Sequence, residues 1–281
     1  MAFTSADLIQ ANLAASTGAN VRVIAMPGRG GNAALQAVAE SADGELAFAA
    51  VDLLSLQVWE AVLPASSQLE KVRAAGLLCK GMTACLLVGQ GSSYGSANEL
   101  IAASKTRSVK VGHVGRLTQM GPPLGLLEVS TDTEFHDVTY SNKEAVIAAL
   151  QEGAIDAAIL DTMDVMGFKK LGVPVQPLLT FGGERNPHLD VQTLRELATG
   201  TDSKNTAVAC GAALFYSANM DTKLAESVIG EIQRTMQSQE VLDLAKMRPF
   251  PLHFGATKDF DEAFNRNSRI IGLVKNRLFV S

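Results

Sequence analysis

Three groups of residues have types and spacing that suit chemistry. Gly91-Ser92-Ser93-Tyr94-Gly95 satisfies G-x-S-x-G, the pattern of a strained strand-to-helix turn that exposes a nucleophilic serine. Gly28-Arg29-Gly30-Gly31-Asn32-Ala33 satisfies G-x-G-x-x-A, which lets backbone amides approach a pyrophosphate. Asp52 follows it about where an acid would meet a ribose hydroxyl. The third group consists of the ends of apolar runs: Ala50-Val51-Asp52, Gly112-His113-Val114-Gly115, Tyr140-Ser141-Asn142 and Asp161-Thr162. If those runs are strands of open α/β sheets, their carboxyl ends are where ligands bind.

Each group has a plainer reading beside the chemical one. In a nucleophile elbow the serine sits on the tight turn itself. Here Ser96-Ala-Asn-Glu99 reads as a capping box, which starts the next helix three residues beyond Ser93. The histidines His113, His136, His188 and His253 are scattered, and none has an acid that sequence alone would pair with it. Triad members can be distant in sequence, so a hydrolase stays open on this ground. In the glycine motif, Met26 and Pro27 separate the preceding apolar run from Gly28, and the following helix is short for a dinucleotide unit. No Gly-Lys-Ser/Thr follows, which excludes a P-loop. What remains is a row of amides at a helix start, suited to a carboxylate as readily as to a phosphate, or simply a tight turn. Asp161 reads first as a cap on the following helix. The small, hydroxyl and amide groups at the strand ends suit hydrogen-bonded capture better than acid–base catalysis.

The elements that must position these residues alternate between strand and helix. Val21–Met26 and Glu45–Val51 read as buried strands, with a helix over Asn32–Ser41 between them. Leu77–Val88 is a longer extended segment interrupted by glycine, and Val109–Val114, Phe135–Tyr140 and Ala154–Leu160 are three further strands. Before the last of these, Ser141 and Glu144 form a second capping box. Val146, Ile147 and Leu150 share one helix face, and Gly153 stops the helix. The β-branched run after it has the character of a parallel strand buried on both faces. Long helices are expected over Thr222–Lys246 and Lys258–Asn276. Leu224, Val228, Ile229, Ile232 and Met236 form the buried stripe of the first, and RPFPLHFG separates the two. This is βαβ logic and predicts an α/β fold.

Composition narrows the function classes. Lys and Arg number 24 against 29 Asp and Glu, for a net charge of −5, so nothing favours nucleic acid. No apolar run reaches the roughly 18 residues needed to span a bilayer, so no membrane insertion is expected. The N-terminal sixteen residues lack the basic start and uninterrupted apolar centre of a secretory signal, so a cytoplasmic protein is expected if Met1 is the native start, and a periplasmic one if a signal has been removed. Cys79, Cys85 and Cys210 have no metal-ligand spacing. In an extended chain at about 3.3 Å per residue, Cys79 and Cys85 lie roughly 20 Å apart, too far to bridge. All three are expected as buried, apolar-like side chains. No metal, cofactor or catalytic residue is called for.

Taken in order, the segments resemble the Bug family of extracytoplasmic solute receptors, which serve tripartite tricarboxylate transporters. MPGRGGN followed by ADGELAFA is similar to the family's glycine-rich loop, helix and Asp-Gly-initiated strand. SANELIAASK and VKVGHVG resemble the helix, strand and loop that open the second lobe, and VTYSNKEAVIAALQEGAIDAAILD its Pro-Tyr-Lys-Gly unit. ERNPHLDVQTLREL and ALFYSANMDTKLAESVIGEIQRTM resemble the later Asp-Val-Pro-Thr segment and the crossover strand with its long helix. The resemblance covers nearly the whole chain. It implies a periplasmic-binding-protein type II-like fold, with two α/β lobes joined by crossover strands: residues 1–90 with 216–281, and residues 91–215. It also implies a non-enzymatic receptor that closes on a small carboxylate, works in the periplasm and delivers its solute to a membrane permease.

The resemblance carries the ligand site onto Gly28, Arg29, Gly30, Gly31, Val51 and Asp52 in the first lobe. In the second it falls on Gly112, His113, Gly115, Thr118, Gly121, Tyr140 and Asp161. It also makes VGQGSSYGSANEL the exit from the first lobe, with Ala84–Val88 as crossover strand and the glycines as hinge. The chain departs from the pattern in three places. It starts within the helix that follows the family's first strand and loop, so that strand is expected to be missing. Tyr140-Ser141-Asn142 stands for Tyr-Lys-Gly, and Gln192 for a proline. Arg29 and Arg116 are the candidates for replacement charge. The alternatives are an NAD(P)- or flavin-binding oxidoreductase built on Gly28–Ala33 with Asp52, and a ligand-free relative acting as a sensor or interaction module.

Overall fold

The computed structural model describes residues 2–42, 46–79, 81–198, 206–208, 210–247 and 252–278. In chain order, helices α1 (Ala2–Thr17) and α2 (Asn32–Ala39) precede strand β1 (Phe48–Asp52), helix α3 (Leu53–Val62) and strand β2 (Val72–Cys79). Then come β3 (Ala84–Gly89), α4 (Ala97–Ser104), β4 (Lys110–His113), α5 (Gly121–Thr131), β5 (His136–Thr139), α6 (Lys143–Gln151) and β6 (Ala157–Asp161). Helix α7 (Thr162–Lys170), strand β7 (Val175–Thr180) and the short α8 (Leu194–Leu197) follow. The chain ends with β8 (Ala212–Ser217), α9 (Thr222–Met236), α10 (Gln239–Met247), β9 (Leu252–Gly255) and α11 (Thr257–Val274). These elements form two compact units, Met1–Gly81 with Cys210–Asn265 and Met82–Ala209 with Arg266–Ser281.

The first unit carries a four-stranded sheet in the order β1-β8-β2-β9, and every pairing in it is antiparallel. β8 is central and buried along its whole length, as expected of a strand flanked by partners on both sides. Leu35 and Val38 of α2, Leu53 and Leu56 of α3, and Phe215 of β8 pack into one core. Phe260 of α11 meets Phe215 edge-on at 5.6 Å between centroids, a favoured aromatic geometry. β2 bulges at Gly76, where φ is 144° and an added Cβ would lie 2.2 Å from the Gly255 carbonyl oxygen. Only glycine lets β9 come that close.

The second unit is the βαβ body that periodicity predicts. Its sheet runs β5-β4-β6-β3-β7, with β4 parallel to both β5 and β6, and β3 antiparallel to β6 and β7. β6 is buried at all five positions, matching its continuous apolar run. Val146, Ile147 and Leu150 of α6 pack on Leu87, Ala158 and Leu160, and Gly153 ends the helix region at φ 70°. Ser96 caps α4 by accepting from the Glu99 amide, while the Glu99 carboxylate accepts from the Gly95 amide.

Several expectations change. Val21–Met26 forms no strand; Ile24 is 70% exposed, and the Val21 carbonyl accepts from the Gln10 side chain. β propensity cannot supply a ladder partner, and the only partner of β1 among the described residues is β8. The strand expected over Glu45–Val51 runs Phe48–Asp52, and Glu45 lies outside the described residues. Leu77–Val88 is two strands, split around Gly81. The cap of α6 is Asn142, whose side chain accepts from the Ala145 amide, so Ser141 and Glu144 form no capping box. The expected helix Thr222–Lys246 breaks after Met236, where the Ser238 hydroxyl accepts from the Val241 amide and starts α10. Leu224 is 43% exposed and Ala225 is buried in its stead.

The boundaries also differ from 90/91 and 215/216. β3 pairs on both sides within the second sheet, so the chain leaves the first unit at Gly81 and Gly89–Gly95 is a turn inside the second. The end of α11 belongs to the second unit. RPFPLHFG does separate two helices, but its described part is a strand, β9. The three cysteines are buried and in no disulfide; burial pushes the Cys79 thiol to about 11 and Cys85 to about 12, which leaves both unreactive.

The central position of β3 has a measurable consequence. Leu87→Ala, fully buried between β6 and β7, is expected to lose about 2–5 kcal/mol in urea denaturation. Leu171→Ala, at a residue 80% exposed, is expected to change stability by no more than about 0.5 kcal/mol.

Candidate functional site

In the first unit, Gly28–Gly31 form a tight turn in which the Gly31 amide donates to the Gly28 carbonyl. An added Cβ on Gly30 would lie 2.4 Å from the Trp59 ring, and one on Gly31 would lie 2.9 Å from Val51. These glycines therefore hold the loop against α3 and the carboxyl end of β1, which brings Gly28, Arg29, Gly30, Gly31, Val51 and Asp52 together. Asp52 caps α3 by accepting from the Ser55 amide at 2.9 Å. Burial raises its pKa, and the Ser55 bond works against that shift. The dinucleotide fingerprint needs a strand before its glycines, and Val21–Met26 is not one.

In the second unit the candidates gather at the carboxyl ends of the parallel strands. Gly112 lies in β4, where an added Cβ would meet Ile155 at 2.4 Å and the Tyr140 ring at 3.3 Å. The Tyr140 amide donates to the His113 carbonyl, joining the ends of β4 and β5. After His113, Gly115 turns at φ 123°. The Thr118 hydroxyl donates to the Gly115 carbonyl and accepts from the Met120 amide, so it shapes the loop from within. Gly121 starts α5, and an added Cβ would sit 1.8 Å from the Arg116 carbonyl oxygen. Asp161 ends β6 and caps α7 by accepting from the Met163 amide at 3.0 Å, the cap its sequence position suggests.

Two of these residues are turned inward. His113 is fully buried: Nδ1 accepts from the Gly115 amide at 2.9 Å, and Nε2 lies 3.0 Å from Asp137. That pattern fixes a neutral ring with its proton on Nε2. Burial lowers its pKa against the upward pull of Asp137. Arg116, 8% exposed, donates to both oxygens of Glu128 at 2.9 and 3.0 Å, to Asp137 at 2.8 Å and to the Arg277 carbonyl at 3.0 Å. Its charge is spent inside the unit rather than held out to a ligand. Burial alone would raise the Asp137 pKa, but Arg116 and His113 hold it below the usual carboxylate range.

Beside the loop is a concavity of about 160 Å³ lined by Val114, Gln119, Met120, Lys143, Leu160, Asp161 and Asp164. Lys143 pairs with Asp164, and Gln119 donates to Asp161 at 3.3 Å. Burial draws the Lys143 pKa down, but the Asp164 partner outweighs it and leaves it raised. Of the residues that the resemblance assigns to the ligand site, only Asp161 lines this concavity, joined there by Val114 of the strand-end group. Lys143, Asp164 and Gln119 were missed, although the first two occupy the opening turns of α6 and α7, where side chains stand at the ligand-bearing end of a parallel sheet. Among the described residues, no group of three His, Cys, Asp or Glu side chains could hold a metal. Ser93 is exposed in the turn between β3 and α4, away from any strand-to-helix elbow.

No protein-family sequence profile matches the chain, and no curated protein matches it in sequence. Solved structures do match. A TctC solute-binding protein from Polaromonas is 16% identical with a TM-score of 0.74, over 97% of this chain and 94% of that one. MatC from Rhodopseudomonas palustris, solved with bound malate, is 20% identical with a TM-score of 0.76, over 95% and 93%. R. palustris Rpa4515, solved with adipate, is 15% identical with a TM-score of 0.79, over 98% and 92%. The fold is that of the periplasmic solute-binding proteins. Within this solute-binding fold, the two-unit α/β architecture expected from the resemblance is present. No helix among the described residues is long and apolar enough to cross a membrane.

The buried network generates two expectations. Arg116→Ala leaves Glu128 buried without its cation and should cost about 3–5 kcal/mol in urea denaturation. The folded pKa of His113 lies below its unfolded value of about 6.5, so the stability that the neutral ring contributes is complete above that pH. It should be lost as pH falls through the folded value, and an imidazole NMR titration should show His113 protonating only below the range of an unperturbed imidazole.

Proposed function

We propose that the chain is a non-enzymatic receptor that captures a small organic carboxylate for a tripartite tricarboxylate-type transporter. The observation that carries this reading is the strand-end concavity of the second unit, on a fold shared with solute-binding proteins. The N-termini of α6 and α7 stand at that end of the sheet, and their free amides and dipoles favour an anion. Closure on the ligand would be a rigid-body hinge motion that the ligand stabilises. MatC and Rpa4515, which share the fold, were solved with the small organic acids malate and adipate. A periplasmic location and delivery to a membrane permease complete the reading.

Thermal-shift screening with di- and tricarboxylates, amino acids and aromatic acids tests it. A ligand at about 100 times its Kd should add about 2.7 kcal/mol of stability. A flat response to every acid, with a shift for NAD or FAD, would overturn the receptor in favour of a nucleotide-binding protein.

A further inference from the structure

The concavity of the second unit holds both signs of charge. Lys143, the first residue of α6, pairs with Asp164 in the first turn of α7, and the 5%-exposed carboxylate of Asp161 lies on the same wall. The side chains of Lys143 and Asp164 are 42% and 28% exposed, so the pair is open to solvent. Val114, Met120 and Leu160 give the concavity an apolar side. At roughly 30 Å³ per water, about 160 Å³ holds about five water-sized groups, the scale of a small metabolite.

This charge arrangement distinguishes between kinds of carboxylate. Two acids and one ammonium leave the wall with an excess negative charge. A dicarboxylate entering it would find the Lys143 charge already matched and would face Asp161 and Asp164. A molecule with its own ammonium and carboxylate can insert between Lys143 and Asp164, replacing one ion pair with two. Opening the existing pair costs little, because a solvent-exposed ion pair is weak. We propose that this concavity selects a zwitterion, a small α-amino acid, over the same acid without its amino group. Asp164 is the specificity-determining partner of the ligand ammonium, and Lys143 that of its carboxylate. The proposal rests on the receptor reading and names the ligand class of that site.

Isothermal titration of the full chain with matched pairs tests it: L-aspartate against succinate, L-glutamate against glutarate, and L-alanine against propionate. At least one amino acid should bind ten-fold or more tightly than its partner. Asp164→Asn should bring that ratio near one, and Lys143→Met should weaken the amino acid at least ten-fold, with unchanged melting curves as the control for folding. Binding of the amine-free acids as tightly as the amino acids, or a ratio unmoved by Asp164→Asn, overturns the proposal and leaves the receptor reading in place. Absence of binding by all six compounds and by every other acid screened overturns both.

Discussion

The Arg116 guanidinium is the contact on which the second unit's binding end depends. It lies on the loop after β4, yet it is buried and donates to α5 through Glu128, to the β5 edge through Asp137 and to the chain end at Arg277. A buried cation of this kind is tolerated only when its donors are met by acceptors of matching geometry, and four hydrogen bonds meet that demand here. The loop cannot move without disturbing three elements. His113 adds a second restraint, since its neutral ring accepts the Gly115 amide at the point where the backbone turns. The loop that borders the concavity is therefore fixed before any ligand arrives, which reduces the ordering cost of binding.

That rigidity divides labour among the charged groups. Arg116, Glu128 and Asp137 face inward and build; Lys143 and Asp164 face the concavity and remain free to exchange partners. Asp52 and Asp161 do intermediate work as caps, each spending one carboxylate oxygen on an orphan amide of the helix that begins at the strand end. Helix starts and strand ends coincide in both cases, which concentrates polar groups where the sheets leave room.

Legibility in the sequence followed the range of the forces involved. The α6–β6 unit could be read because its helical stripe, its glycine stop and its apolar strand are all local. Ser96 and Asp161 were readable as caps for the same reason. Val21–Met26 was misread because strand propensity does not reveal whether a partner exists, and β9 was missed because its partner β2 lies far back in the chain. α5 begins Gly-Pro-Pro, which reads as a helix breaker although prolines are accommodated in a first helical turn. At the site, the strand ends were placed correctly, but the inward turn of His113 depends on Asp137 across a parallel pairing that sequence does not display. The Lys143–Asp164 pair joins two helices in the same way.

The position of β8 bears on how the molecule is made. β1 and β2 are synthesised first, but their pairings within the sheet run through β8, with β9 later still on the far edge of β2. All five strands of the other sheet, β3 to β7, have been synthesised before Ala212 is added. During translation the N-terminal sheet must wait as unpaired edges while the inserted body assembles around β3. The middle of the chain can thus pair before its beginning does, and the earliest strands are the ones left longest with open edges.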